Sequence, residues 1–316
     1  MHHLLRPRLG ALTLFLTMLL AVGPAACASD EPAGRLEALI DADIARSAQR
    51  DARLEAALDR VVASPTGRFH YETFVAFGVD PTGAVEPDLE ASDVVKGAFD
   101  RPAGRFALWS GPGAHAEMLR AESPEGARMA EGSDFILDGL AIYWRHPFSL
   151  EVLGIEGWIG GLGIDRATVA ELTQDPAVGF DPAAVAELLR GADRLEHEGK
   201  DDVRGVQAER HRTTIDLDDV LDRVHPDRQE AVGRQLDDVA AVLEQFGPPS
   251  ADRSVDALVW LTDDGDLVRL ELEVPVADGV FGDGASMRGV LDLYDYGAPI
   301  VIEVPDPAEV QPPPGL

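Results

Sequence analysis

The sequence predicts an α+β fold built on a single curved antiparallel β-sheet, with its helices gathered on one face. Apolar and polar residues alternate over several short segments, most cleanly where Val268, Leu270, Leu272 and Val274 face one way and Arg269, Glu271 and Glu273 the other. Two tight hairpin signals, Asp138-Gly139 and Asp263-Asp264-Gly265-Asp266, join such segments. The elements run helix, strands, helices, strands, helix, strands, which is not the alternating βαβ order of a parallel doubly wound sheet.

Taken along the chain, Leu36, Leu39, Ile40, Ile44, Leu54, Leu58, Val61 and Val62 recur at helical spacing and predict one amphipathic helix over 35–63, ended by Ser64-Pro65-Thr66-Gly67. Phe69, Tyr71, Thr73 and Val75 then alternate as in a strand. Further strands are expected at 104–110, 134–137 and 140–144, the last two flanking a type I′ turn at Asp138-Gly139. Residues 146–198 differ in texture. Ile155 to Ile164 is apolar, glycine-rich and periodic in neither sense. It reads either as a loop folded into the core or as a flexible lip over an apolar cavity. Helices follow at 166–173 and 182–195, the second opened by Asp181 as N-cap and Pro182 in the first turn. Strands return at 195–199, 204–215, 255–262, 267–275 and 286–294, interrupted by a helix over 217–246. The expected domain spans 35–305, and a Pro-rich tail covers 306–316.

The N-terminus reads as a signal. His2, His3, Arg6 and Arg8 precede a mostly apolar stretch from Leu9 to Gly23, too short to span a bilayer comfortably. Ala25-Ala26-Cys27 resembles the lipobox of bacterial lipoproteins, with Pro24 where Leu is usual. Residues 1–26 are therefore expected to be removed. Cys27, the only cysteine, is expected to carry the lipid, and 27–34 to form a spacer. A plain secretory signal with an incidental cysteine is the alternative. A lone exported thiol has no disulfide partner, which favours lipidation. The expected location is the extracytoplasmic face of the cell membrane.

The chain carries 27 basic against 57 acidic residues, a formal net charge of −30. This argues against nucleic acid and against docking flat on anionic headgroups. No Gly-x-Ser-x-Gly elbow and no H-x-x-x-H pair occurs. Counted from Asp263, the twelfth position is Val274 rather than the Glu of a calcium loop. Gly160-Gly161-Leu162-Gly163 lacks the strand and helix start of a dinucleotide site. No catalytic residue, metal ligand or cofactor is assigned, and the chain is not read as an enzyme.

Three stretches of the C-terminal third carry a family resemblance. Leu195 to Glu198, Val203-Arg204-Gly205-Val206 and Arg210 to Asp216 form a recurring strand pair. Val255 to Leu261 leads through Asp263-Asp264-Gly265 into Leu267-Val268-Arg269-Leu270. Tyr294-Asp295-Tyr296-Gly297-Ala298-Pro299 is followed by Ile302 and Val304-Pro305. In this order they resemble the LppX/LprG group of actinobacterial lipoproteins, within the LolA-like lipoprotein-carrier fold. The match covers roughly residues 180–310. The resemblance implies a half-barrel sheet whose concave face is covered by helices over an apolar cavity for lipids, lipoglycans or other acylated ligands. It also implies no catalytic residues. The lining is expected from Phe106, Leu108, Leu140, Ile142, Trp144, Trp158, Ile159, Leu162, Val259 and Leu261. A filled-core interaction or sensor module, presenting an acidic surface to another envelope protein, is the competing reading.

Overall fold

The computed structural model describes residues 52–76, 90–112, 127, 130–145, 154–155, 157–163, 180–246, 253–276 and 285–312. The signal segment, Cys27, the first part of the leading helix and the expected helix at 166–173 lie outside the described residues. Helix α1 covers 52–63. Strands β1 (Thr66–Ala76), β2 (Glu90–Asp100), β3 (Arg105–Pro112), β4 (Ser133–Asp138), β5 (Ala141–Arg145) and β6 (Trp158–Leu162) follow. Next come α2 (Pro182–Glu187), continued as a 3-10 turn over Leu188–Gly191, then β7 (Glu196–Val203) and β8 (Val206–Asp216). The short α3 (Val220–Arg223) and the long α4 (Gln229–Phe246) precede β9 (Ser254–Thr262), β10 (Leu267–Pro275), β11 (Ser286–Tyr294) and β12 (Val310–Gln311).

The twelve strands among the described residues join one open sheet in the order β12-β6-β5-β4-β3-β2-β1-β11-β10-β9-β8-β7. Every neighbouring pair is antiparallel except β12 with β6. The α+β class and the helix-covered antiparallel sheet are thus as expected. Chain neighbours β1 to β6 and β7 to β11 pair in sequence, and the β2–β3, β4–β5, β7–β8 and β9–β10 pairs are joined by short turns, the cheapest antiparallel connection. The two halves meet where β11 returns to lie against β1, with Phe69 opposite Leu293 and Tyr71 opposite Leu291.

The two faces differ as the alternation demands. One carries Phe69, Leu108, Phe135, Leu137, Leu270, Val259, Leu291 and Leu293, buried in one large cluster with residues of α1, α2 and α4. The other is laced with ion pairs, three of them between direct cross-strand partners: Arg105–Asp138, Arg145–Asp134 and Arg269–Asp292. Arg269 grips Asp292 with two hydrogen bonds, at 2.6 and 3.0 Å. A smaller apolar cluster on this face joins Ile136 to Ile300 and Ile302.

Several expectations need correction. In the β4–β5 hairpin Asp138 pairs with Ala141, so the two turn residues are Gly139 and Leu140, and only Gly139 has positive φ. That is the type II′ pattern, not type I′, and it leaves Leu140 outside the strand. The expected type I′ geometry occurs instead at Arg204-Gly205, where both φ angles are positive between Val203 and Val206. A register shift between Leu267 and Arg269 breaks the clean alternation of β10: Leu267 is buried in the main cluster, while Val268 packs with Trp260 in a separate one. The single helix expected over 217–246 is two, because Pro226 interrupts it and biases His225 away from helical backbone. The helix expected over 182–195 gives way to a 3-10 turn after Glu187 and ends at Gly191.

The glycine-rich stretch is neither lip nor buried loop. Residues Trp158–Leu162 form β6, paired to β5 on one side and to β12 on the other. Gly160 is required there, since a Cβ would sit 2.1 Å from the Ile142 carbonyl oxygen. The tail beyond 305 contributes that partner strand, β12. Strand β2, which the sequence shows only weakly, fills the place between β1 and β3.

Candidate functional site

The site is the apolar layer between the sheet and its helices. Its floor is aromatic. Phe69 stacks on Phe106 with ring centroids 5.6 Å apart, Phe180 lies 5.3 Å from Phe69, and Tyr71 stacks on Phe180 at 4.9 Å. Glycine makes room for two of these rings. A Cβ on Gly97 would meet the Phe69 ring at 2.8 Å, and one on Gly289 the Tyr71 hydroxyl at 2.7 Å. Burial, with a smaller contribution from the Asp238 charge, pushes the Tyr71 hydroxyl up to about 12. Val239, in the middle of α4, packs against the same apolar cluster as Tyr71.

Seven of the residues expected to line a cavity meet in this layer. Leu108, Ile142, Trp144, Ile159, Val259 and Leu261 are buried in its cluster, and Phe106 packs against it half-buried. The register explains their meeting: Leu108 opposes Phe135, Phe135 opposes Trp144, and Trp144 opposes Ile159, so one side of four strands forms one row. Two expected residues do not belong. Leu140 stands in the hairpin turn and is 83% exposed. Trp158 precedes Ile159 by one residue and so takes the other face, packing against the Ile136–Ile300–Ile302 cluster. Leu162 is the register partner of Ala141 at the end of β6. Missing from the expectation were Phe69, Tyr71, Phe135 and Phe180. The alternation of Phe69 and Tyr71 could have placed two of them; nothing in the spacing places Phe180, which precedes the N-cap of α2.

At one end the layer is sealed. Leu58, Leu189, Leu195, Leu267 and Leu293 are at most 1% exposed. Ion pairs clamp the helices there. Arg190 donates to Glu55 and Asp59 of α1 at 2.6 and 2.8 Å and lies 3.4 Å from Glu187. Glu187 is buried and also accepts from Arg228 at 2.9 Å, while Arg228 reaches Asp181 at 3.0 Å. Asp181 meanwhile caps α2 through the Ala183 amide, as the sequence predicts. Arg101, from the β2–β3 turn, donates to the carbonyls of Val61, Val62 and Ser64 at the C-terminal end of α1.

The other end is looser. Tyr71, Val95, Met287, Val239 and Leu243 pack against the core but are only partly buried. Among the described residues of α4, the recorded side-chain ion pair and hydrogen bonds stay within the helix or reach Leu221. Its hold on the sheet is apolar, through Val232, Leu236, Val239 and Leu243. Among the described residues, no helix is long and apolar enough to cross a membrane.

No family model and no curated protein matches the chain. Solved structures similar to it include the lipoprotein LppX of Mycobacterium tuberculosis, at 16% identity over 80% of this chain and 97% of that one, with a TM-score of 0.40. LprF from Mycobacterium bovis is similar at 14% identity over 82% of this chain and 98% of that one, with a TM-score of 0.41. A putative outer membrane lipoprotein-sorting protein domain from Vibrio parahaemolyticus aligns at 9% identity over 76% of this chain and 91% of that one, with a TM-score of 0.23. An open antiparallel sheet under a helix layer is the architecture which the resemblance of the C-terminal strands implies.

Proposed function

We propose that this chain is a lipoprotein, anchored to the membrane through acylated Cys27, that binds or transfers lipids or other acylated molecules in the layer between sheet and helices. The observation that carries the reading is the unequal attachment of the helix layer. Helix α4 covers an aromatic, apolar floor through apolar contacts, next to a half-buried rim of Tyr71, Val95 and Met287. Beyond Arg228, which is ion-paired to Asp181 and Glu187 at its start, the described residues of α4 have no recorded ion pair to the sheet, so the helix can lift while an inserted acyl chain replaces the contacts it loses. Each methylene transferred from water contributes about 0.8 kcal/mol, so a sixteen-carbon chain gains roughly 12 kcal/mol. No bond is made or broken in this function, and the side chains of the layer are apolar.

A photoreactive fatty acid tests the location. Irradiated with the protein, it is expected to label peptides from α4 and from β11 around Met287. Labelling confined to the outer face, or none, overturns the reading. The sealed packing around Leu58 and Leu293 favours a second one, a filled-core module that binds another envelope protein through its acidic surface. An unlabelled interior is its signature.

A further inference from the structure

The β7–β8 hairpin brings together two histidines that lie fourteen residues apart in the chain. His197 is the direct cross-strand partner of His211, and their ring centroids are 5.3 Å apart. Glu209 precedes His211 by two residues on β8, so its side chain leaves the same face. Its Oε2 lies 3.8 Å from His211 Nε2. One ligand atom from each of the three falls within 4.8 Å of the others. We propose that His197, Glu209 and His211 form a binding site for a transition-metal cation of the Zn2+ class.

The donor set is the one such an ion takes: two imidazole nitrogens and one carboxylate oxygen, with a fourth position left for water or another ligand. Metal–ligand distances of about 2.0–2.1 Å set neighbouring donors roughly 3.3 Å apart in a tetrahedron. The existing spacing therefore needs only a modest closing of side chains. His211 is buried at 1% exposure and Glu209 is half-buried, whereas His197 stands on the edge strand in contact with solvent. Two ligands are thus positioned by the fold, and the third leaves an entry path.

The surroundings fit as well. Arg53 of α1 donates to Glu209 Oε2 at 2.9 Å, fixing the carboxylate as an outer partner of a metal ligand does. Lys200 lies 3.7 Å from Oε1, a second cation beside this carboxylate after Arg53, and gives way to an incoming ion. It has Asp263 as a second partner at 3.3 Å. The register shift between His197 and Gly199 turns the strand at this point, a device found beside functional sites. The site lies on the hairpin at the far edge of the sheet from β6 and does not depend on the lipid reading.

The test uses the full chain, stripped of metal, titrated with Co2+ and followed by visible absorption, then back-titrated with Zn2+. One equivalent is expected to give the intense spectrum of a tetrahedral complex. His197→Ala, at an exposed position, and Glu209→Gln are each expected to weaken Zn2+ binding by roughly 10-fold or more while leaving the far-UV circular dichroism unchanged. Absence of a complex in the wild type overturns the proposal. So does unchanged affinity in His197→Ala, the result expected if His2 and His3 at the N-terminus hold the ion instead.

Discussion

Helices α1 and α4 cover the same apolar face of one sheet, yet they are held there by different forces. Helix α1 is pinned by four arginines. Arg53 reaches Glu209 of β8 and Arg60 reaches Asp266 of the β9–β10 turn; Arg190, in the 3-10 turn after α2, binds Glu55 and Asp59, and Arg101 collects the last carbonyls. Under it the leucines are sealed from solvent. Helix α4 has three times the length of α2 and a clear apolar stripe, but its described polar side chains bond among themselves or to Leu221. Where a charge is largely buried, as at Arg190 and Glu187, its ion pairs fix one geometry, because moving the partner leaves that charge desolvated; the more exposed Arg60–Asp266 pair adds little. Apolar contacts are non-directional and can be exchanged for others of the same kind. One face of the sheet thus has a fixed cover and an exchangeable one.

The comparison breaks most visibly at Glu187. It is buried between Arg190 and Arg228, and Glu187→Ala leaves both guanidiniums with fewer partners in a desolvated place. A loss of about 3–5 kcal/mol is expected in urea unfolding. A loss under ~1 kcal/mol would mean that the clamp does not hold the sealed end.

A matched pair of truncations sharpens the contrast. Leu58→Ala in α1 removes a fully buried side chain and is expected to cost about 2–5 kcal/mol, whereas Leu243→Ala in α4, already partly solvated, should cost less than half as much. Equal losses would say that the two helices are packed alike.

The smallest effect is alkaline. The folded-state pKa of Tyr71 is raised to about 12 from an ordinary value of 10.0, so the fold favours the neutral phenol. Its contribution to stability is fully present below pH 10.0 and is lost as the pH rises towards 12. Tyr71→Phe should therefore lose less stability than the wild type between pH 9 and 11, measured as the shift in urea midpoint. Parallel loss in both proteins would place the hydroxyl in water, outside the layer.

Much of this was legible in the sequence, and the gaps have identifiable causes. Period-two alternation placed Leu108, Ile142, Trp144, Val259 and Leu261 on the buried face, because a pleated strand with one wet side leaves little choice. The same rule failed at Leu140 and Val268, where a turn and a register shift each moved one residue out of phase. Trp158 was grouped with Ile159 because Gly160 and Gly161 hide the alternation of β6. The glycines there read as freedom but serve close approach to β5. Phe180, the bridge between Phe69 and Tyr71, is a tertiary arrival that no local pattern announces. His197 and His211 form no motif in the sequence, because their proximity depends on the register of a hairpin, which spacing alone does not reveal. The unequal clamping of α1 and α4 was equally invisible, since the arginines come from three separate parts of the chain: α1, the 3-10 turn after α2 and the β2–β3 turn.

The central claim is that the layer under α4 takes up an acyl chain. The chain from Ala28, purified without detergent from a lipid-rich bacterial host, should give a native mass spectrum heavier than the polypeptide. Denaturation should release that excess as one equivalent of an acylated molecule. A native mass equal to the polypeptide, unchanged after incubation with lipid extract, would contradict the claim and leave a filled core.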